Sequence, residues 1–108
     1  PKKYIRIDNK NTLVEESQIQ YIKRDGMKLV FHTYSRDYDT YSSFNKIQDK
    51  LPENFIRCHK SYIVNLDNIK NIDPVTLTVY FDDSNFCSIG PKYKKEFMEV
   101  VRNHGIIK

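Results

Sequence analysis

Along most of this chain apolar and polar residues alternate with a period of two, the pattern of half-buried strands. In "IQYIKRDGMKLVFHTY" two β-rich runs flank Asp25-Gly26, a pair suited to a type I′ hairpin turn. On the second arm Met27, Leu29 and Phe31 fall on one face, and Lys28, Val30 and His32 on the other. "TLTVYF" sets Leu77, Val79 and Phe81 against Thr76, Thr78 and Tyr80. A turn at Asp82-Asp83-Ser84 then lets "NFCSI" pair back. Weaker strand patterns lie in "KYIRI", where Tyr4 supplies the apolar position, in "NTLVEE", in "IKNID" and from Tyr38 to Tyr41. Phe44, Ile47 and Leu51 have helical spacing, with Ser42 or Ser43 as cap and Pro52 as stop, which predicts a helix over 43–51. Gly90-Pro91 breaks the last strand. A second helix is expected over about 92–104, with Tyr93, Phe97, Val100 and Val101 on one face and Gly105 as C-cap. These elements add up to roughly eight or more short strands and two short helices, with no βαβ alternation, which predicts a mainly antiparallel β domain.

A length of 108 residues with 39% hydrophobic and 13% aromatic side chains bounds the chain to one domain with a real core. No apolar run is long enough to span a bilayer and no signal-peptide pattern opens the chain, so a cytoplasmic protein with no membrane partner is expected. The start at Pro1, without Met, reads as a domain excised from a longer protein. A net charge of +4 is compatible with nucleic acid and is not sufficient evidence for it. Cys58 and Cys87 are too few for a disulfide scaffold or a structural zinc site.

The segment "NFIRCHKSYIVNLDNIKNID" carries the densest chemistry, with Arg57, Cys58, His59, Lys60 and Ser61 side by side. A Cys58–His59 catalytic pair is ruled out on a strand, because successive side chains point to opposite faces. Cys58, His59 and Cys87 lack the fourth ligand a zinc site needs. Positive charge falls in three groups at strand ends: Lys23, Arg24 and Lys28; Arg57, His59 and Lys60; Lys92, Lys94 and Lys95. Any one group reads most simply as solvated loop charge. Three together, without a catalytic constellation, point toward phosphate contacts. No pair of adjacent helices offers a helix-turn-helix.

"FIRCHKSYIVNLDNI" resembles the signature of the LytTR DNA-binding family, in which Phe-x-Arg-x-His-x-Ser precedes an aromatic, two apolar residues and Asn. Phe55, Arg57, His59, Ser61, Tyr62, Ile63, Val64, Asn65 and Ile69 match. The upstream hairpin and "VYF…SIGPKYKKEF" extend the likeness over nearly the whole chain, and agr-type regulators of low-GC Gram-positive bacteria are similar. The resemblance implies about ten short strands in small antiparallel sheets, a β-β-β sandwich with two short helices. It also implies a non-enzymatic output domain of a two-component response regulator, without cofactor or metal, following an N-terminal receiver domain. Two copies would bind a direct repeat in double-stranded promoter DNA, with loops entering successive major grooves. The contacting loops correspond to residues 24–28, 59–61 and the segment from Gly90, which includes Lys92, Tyr93, Lys94 and Lys95.

This chain departs from that pattern at Met27, where agr-type relatives have a base-reading His and where Lys28 or Arg24 would take over. It also departs at Lys60, often Asn or Arg, and at Gly90-Pro91-Lys92, where Ser and Arg are frequent. Lys60 is the best DNA contact of the central stretch, and Lys28 and Lys92 are expected to read bases. Arg57, His59 and Ser61 share one outward face, with His59 either touching DNA or fixing its loop. Tyr62, Ile63 and Val64 anchor the core, and Asn65 ties down a turn. Relatives carry cysteines at both matching positions, so Cys58 and Cys87 are either buried packing residues or a redox pair whose oxidation weakens DNA binding. The competing function is a protein-interaction module that keeps the fold without base readout, with Met27 and Gly90-Pro91 as its hints.

Overall fold

In a computed structural model of the chain, which describes residues 1–7 and 12–107, the alternating segments form ten strands in three antiparallel sheets. β1 (Tyr4–Arg6) and β2 (Leu13–Glu15) form a two-stranded sheet. A five-stranded sheet has the order β5-β4-β3-β7-β6. Its members are β3 (Ile19–Asp25), β4 (Lys28–Thr33), β5 (Asp37–Tyr41), β6 (Phe55–His59) and β7 (Tyr62–Asn65). β8 (Asn71–Asp73), β9 (Thr78–Tyr80) and β10 (Phe86–Ser88) make the third sheet, in the order β10-β9-β8.

The five-stranded sheet is the middle layer. One of its faces joins Ile5, Ile7, Val14, Phe44 and Phe55 to Ile19, Ile22, Leu29, Phe31 and Ile63 in a single apolar cluster. The other face joins Cys58 and Val64 to Ile72, Val79, Phe81 and Cys87 of the third sheet, and to Phe97 and Val101 of α2 (Lys94–Asn103). β7 is covered on both faces. Its Ile63 and Val64 therefore enter different clusters, and "YIV" is apolar without alternation.

Several local expectations shift. The β3–β4 turn is Gly26-Met27, one residue later than Asp25-Gly26, with Asp25 paired to Lys28. Gly26 has φ +62° while Met27 is not in the left-handed region, so the sign pattern is that of type II′ and not type I′. Met27 leaves the Leu29–Phe31 face and stands 82% exposed at the tip. In β1 the inward residue is Ile5, and Tyr4 faces solvent. "NTLVEE" shortens to β2, and its residue 11 lies outside the described residues. The first helix is a single α turn, α1 (Phe44–Ile47), followed by a 3₁₀ turn Gln48–Lys50; the Ser43 hydroxyl accepts the Lys46 N–H at its start. α2 begins at Lys94. It ends with Gly105 N–H donating to Arg102 C=O and Ile106 N–H to Val101 C=O, a Schellman closure that uses Gly105 at φ +74°.

Two buried polar groups lock the layers. Asn65, 1% exposed, donates from Nδ2 to the carbonyls of Ile19 (2.9 Å) and Glu16 (3.3 Å). Its Oδ1 accepts from Asn54 Nδ2 (2.8 Å) and the Asp67 N–H (3.1 Å). Gln20, fully buried in β3, donates from Nε2 to Asp82 at 3.0 Å and so ties the middle sheet to the β9–β10 turn. Side-chain bonds from Asn85 and Gln20, then backbone N–H groups of Ser84 and Asn85, hold the Asp82 carboxyl well below the usual aspartate range.

Asn65→Ala strands buried partners and is expected to destabilise the domain by about 2–3 kcal/mol, read as a lower urea midpoint at unchanged slope. For Asp82 the depressed pKa gives stability that is complete above the unfolded aspartate value of about 3.9 and is lost as pH falls below it. Urea titrations from pH 6 down to pH 2 are expected to show a smaller loss for Asp82→Asn than for the parent. Equal losses would assign the acid sensitivity to other carboxylates.

Candidate nucleic-acid interface

Antiparallel register decides which loops meet. β3 ends and β7 begins at the same end of the middle sheet, because Lys23 pairs with Tyr62 and the Arg24 N–H donates to the Ser61 carbonyl at 2.9 Å. The Gly26-Met27 turn and the Lys60-Ser61 turn therefore sit side by side. β5 also finishes there, with Tyr41 opposite Lys28. On the other flank the Gly90 N–H donates to the Cys58 carbonyl at 2.8 Å, which brings the segment before α2 against β6. All three basic groups found in the sequence thus line one end of the sheet, together with Lys46 of α1. Lys46 has no linear signal linking it to Arg24; the fold supplies the link through an open depression that both residues line.

Lys23, Arg24, Lys60, Lys92, Lys94 and Lys95 are exposed at this end. Lys28 lies 3.8 Å from Asp39, with its ammonium 5.0 Å from the centre of the Tyr41 ring. An exposed pair of this kind is worth about 0–1 kcal/mol, too little to hold the ammonium against a phosphate.

Arg57 departs from the expectation of an available outward group. Its Nε donates to the His59 carbonyl (2.9 Å) and its Nη2 to the Lys60 carbonyl (2.6 Å). The guanidinium also packs against the rings of Phe44 and Tyr93, at 4.5 and 5.5 Å from their centres. It shapes the β6–β7 turn and ties that turn to Tyr93, which precedes α2 and is half-buried.

His59 fixes the same loop, since its Nδ1 accepts the Ser61 N–H at 3.0 Å. A backbone N–H can only donate, so the neutral ring carries its proton on Nε2, which has no partner among the described residues. Desolvation, followed by the charges of Lys60 and Arg57, pushes the His59 pKa down and favours that neutral form. The Ser61 hydroxyl is likewise without a partner among the described residues. His59 and Ser61 thus present neutral hydrogen-bonding groups between the lysines.

Gly90 is buried, and a Cβ there would come within 3.2 Å of His59 Cδ2 and 3.4 Å of Tyr93 Cδ2. The Gly90-Pro91 departure falls on the packed root of the loop, while Lys92 occupies its exposed part. α2 starts with Lys94, Lys95 and Glu96 and has no side-chain cap, so its first turn sets two cations and one carboxylate beside unpaired backbone N–H groups.

The Cys58–His59 pairing does not form: Cys58 points into the core and its thiol donates to the Ser88 carbonyl at 3.5 Å. Cys87 lies in the same cluster, and both thiols are free and buried. Burial pushes the Cys58 pKa up to about 12 and raises that of Cys87 as well. Both thiols are therefore protonated and poorly nucleophilic, which favours the packing role over the redox pair. Among the described residues no three His, Cys, Asp or Glu side chains cluster as metal ligands, and no helix is long and apolar enough to cross a membrane.

Comparison with known proteins identifies the fold and the family. A LytTr DNA-binding domain from Bacillus cereus superposes with a TM-score of 0.79, over 94% of this chain and 98% of that one, at 24% identity, which establishes the shared fold. The accessory gene regulator protein A of Staphylococcus aureus strain N315 is 33% identical over 60 residues, 56% of this chain and 25% of that protein. The Staphylococcus epidermidis accessory gene regulator protein A gives the same identity and coverage, so the match spans a quarter of these regulators' length. The family profile described as "LytTr DNA-binding domain" matches residues 9–102, taking in all three loops and most of α2, and the chain accordingly belongs to the LytTR family of DNA-binding domains.

Proposed function

We propose that this domain binds double-stranded promoter DNA sequence-specifically through the cationic end of its middle sheet, as the output domain of a two-component response regulator. The observation that carries the reading is the convergence of three basic loops, distant in sequence, through the Arg24–Ser61 and Gly90–Cys58 backbone bonds. Lys23, Arg24, Lys60, Lys94 and Lys95 serve as phosphate contacts, and the uncapped backbone N–H groups at the start of α2 add to the attraction for a phosphate. Lys28 and Lys92 read bases, with His59 Nε2–H and the Ser61 hydroxyl as neutral partners. Arg57 and Tyr93 position the loops. A cytoplasmic regulator with a receiver domain, bound as two copies to a direct repeat, fits this role. The Gly90-Pro91 hint for an interaction module loses its force, since Gly90 is spent on packing against His59.

Selection from a randomised duplex pool, followed by anisotropy titration, tests the reading. Log K is expected to fall linearly with log salt at a slope of about −0.9 per phosphate contact, and each phosphate-contacting lysine changed to Ala should flatten the slope by roughly one. A slope near zero, or failure to enrich any duplex, would sink the proposal. Lys92→Ala should cost about 1–3 kcal/mol on the selected site and less on random duplex, whereas equal losses on both would demote Lys92 to backbone positioning.

A further inference from the structure

The first loop carries a feature that charge does not explain. Met27 stands 82% exposed at the tip of the β3–β4 turn, and Tyr41 is 76% exposed at the end of β5. Neither serves the core: both apolar clusters close without them. Turn tips ordinarily take Gly, Asn, Asp or Ser. A long thioether there is a hydration liability that the fold itself does not need.

The two side chains are not independent. Tyr41 pairs in register with Lys28, the residue after Met27, and the Lys28 ammonium lies over the Tyr41 ring. Met27 and Tyr41 also line the open depression, about 420 Å³, whose remaining lining is Arg24, Gly26, Ser42, Ser43 and Lys46. No carboxylate lines it. Two exposed apolar groups are thus framed by cations and hydroxyls, at the end of the sheet where the phosphate contacts converge.

We infer that Met27 and Tyr41 form an apolar reader of thymine 5-methyl groups, held in the major groove by Arg24 and Lys46 on the flanking backbone. The inference rests on the DNA-binding reading above and deepens it, by giving the first loop a base preference that hydrogen bonding does not supply. The thymine methyl is the one apolar group that distinguishes a base edge in that groove, and only a nonpolar side chain reads it. Met suits the task, being unbranched and polarisable, and able to follow the methyl without an imposed rotamer. The cationic frame selects a polyanion over an apolar peptide segment as the occupant.

Deoxyuridine provides the test, since it pairs as thymidine does and lacks only the methyl. The selected duplex is resynthesised with uracil at one thymine position at a time and titrated with the parent domain, Met27→Ala and Tyr41→Ser. At one or two positions the parent is expected to lose about four-fold in affinity per methyl removed, the equivalent of one buried methylene. Met27→Ala should lose a similar factor on the thymine duplex and show no further loss on the uracil duplex, with thermal stability and salt slope unchanged. If every uracil duplex binds the parent as well as the thymine duplex does, or if Met27→Ala remains as sensitive to uracil as the parent, the inference is overturned. Selection that enriches a duplex free of any methyl effect overturns the inference alone. Selection that enriches nothing overturns the DNA-binding reading with it.

Discussion

The pairing of β3 with β7 is the constraint on which the rest of the molecule depends. Tyr21, Ile22 and Lys23 align with Val64, Ile63 and Tyr62, joining two hairpins about forty residues apart in the chain. Without that ladder the sheet would fall into a two-stranded and a three-stranded ribbon, each with two exposed edges and marginal in water. With it, one sheet acquires two faces to bury, and both apolar clusters form on a shared frame. The same register places the β3–β4 and β6–β7 turns at one end. Building the core and assembling the interface are therefore one event.

Rigidity at that end comes from groups that resemble ligand contacts and serve as supports. Arg57 gives two charged hydrogen bonds to consecutive turn carbonyls and packs against two rings, His59 accepts the Ser61 N–H, and Gly90 admits the third loop to van der Waals distance of His59. Each charge-assisted bond is worth about 1.5–3 kcal/mol, far more than the exposed Lys28–Asp39 pair. The magnitudes separate the roles: strongly engaged cations hold the loops in place, and weakly engaged ones are free to exchange partners. Preorganised loops lose less entropy on binding, which suits the DNA contacts proposed for these turns.

The two cysteines show how burial overrides chemical identity. Placed beside His59 and Arg57 in the sequence, Cys58 looks reactive; placed in the second core cluster, it is a small apolar filler with a protonated thiol. Cys87 shares that environment from β10, and its neighbour Ser88 offers the carbonyl that the Cys58 thiol meets.

The sequence by itself determined the strand-rich class, the three basic groups, a cap at Ser42 or Ser43 and another at Gly105, and the family signature from Phe55 to Ile69. These are local properties, written in periodicity of two, turn chemistry and side-chain type, and they need no knowledge of distant neighbours. Tertiary structure alone decided the turn register that exposes Met27, the inward choice of Ile5 over Tyr4, the commitment of Arg57 to its own loop and the arrival of Lys46 beside Arg24. Each of these turns on which surface a residue meets. That is fixed by non-local pairing and by burial on both faces of the middle sheet, where a shift of one residue exchanges inside for outside.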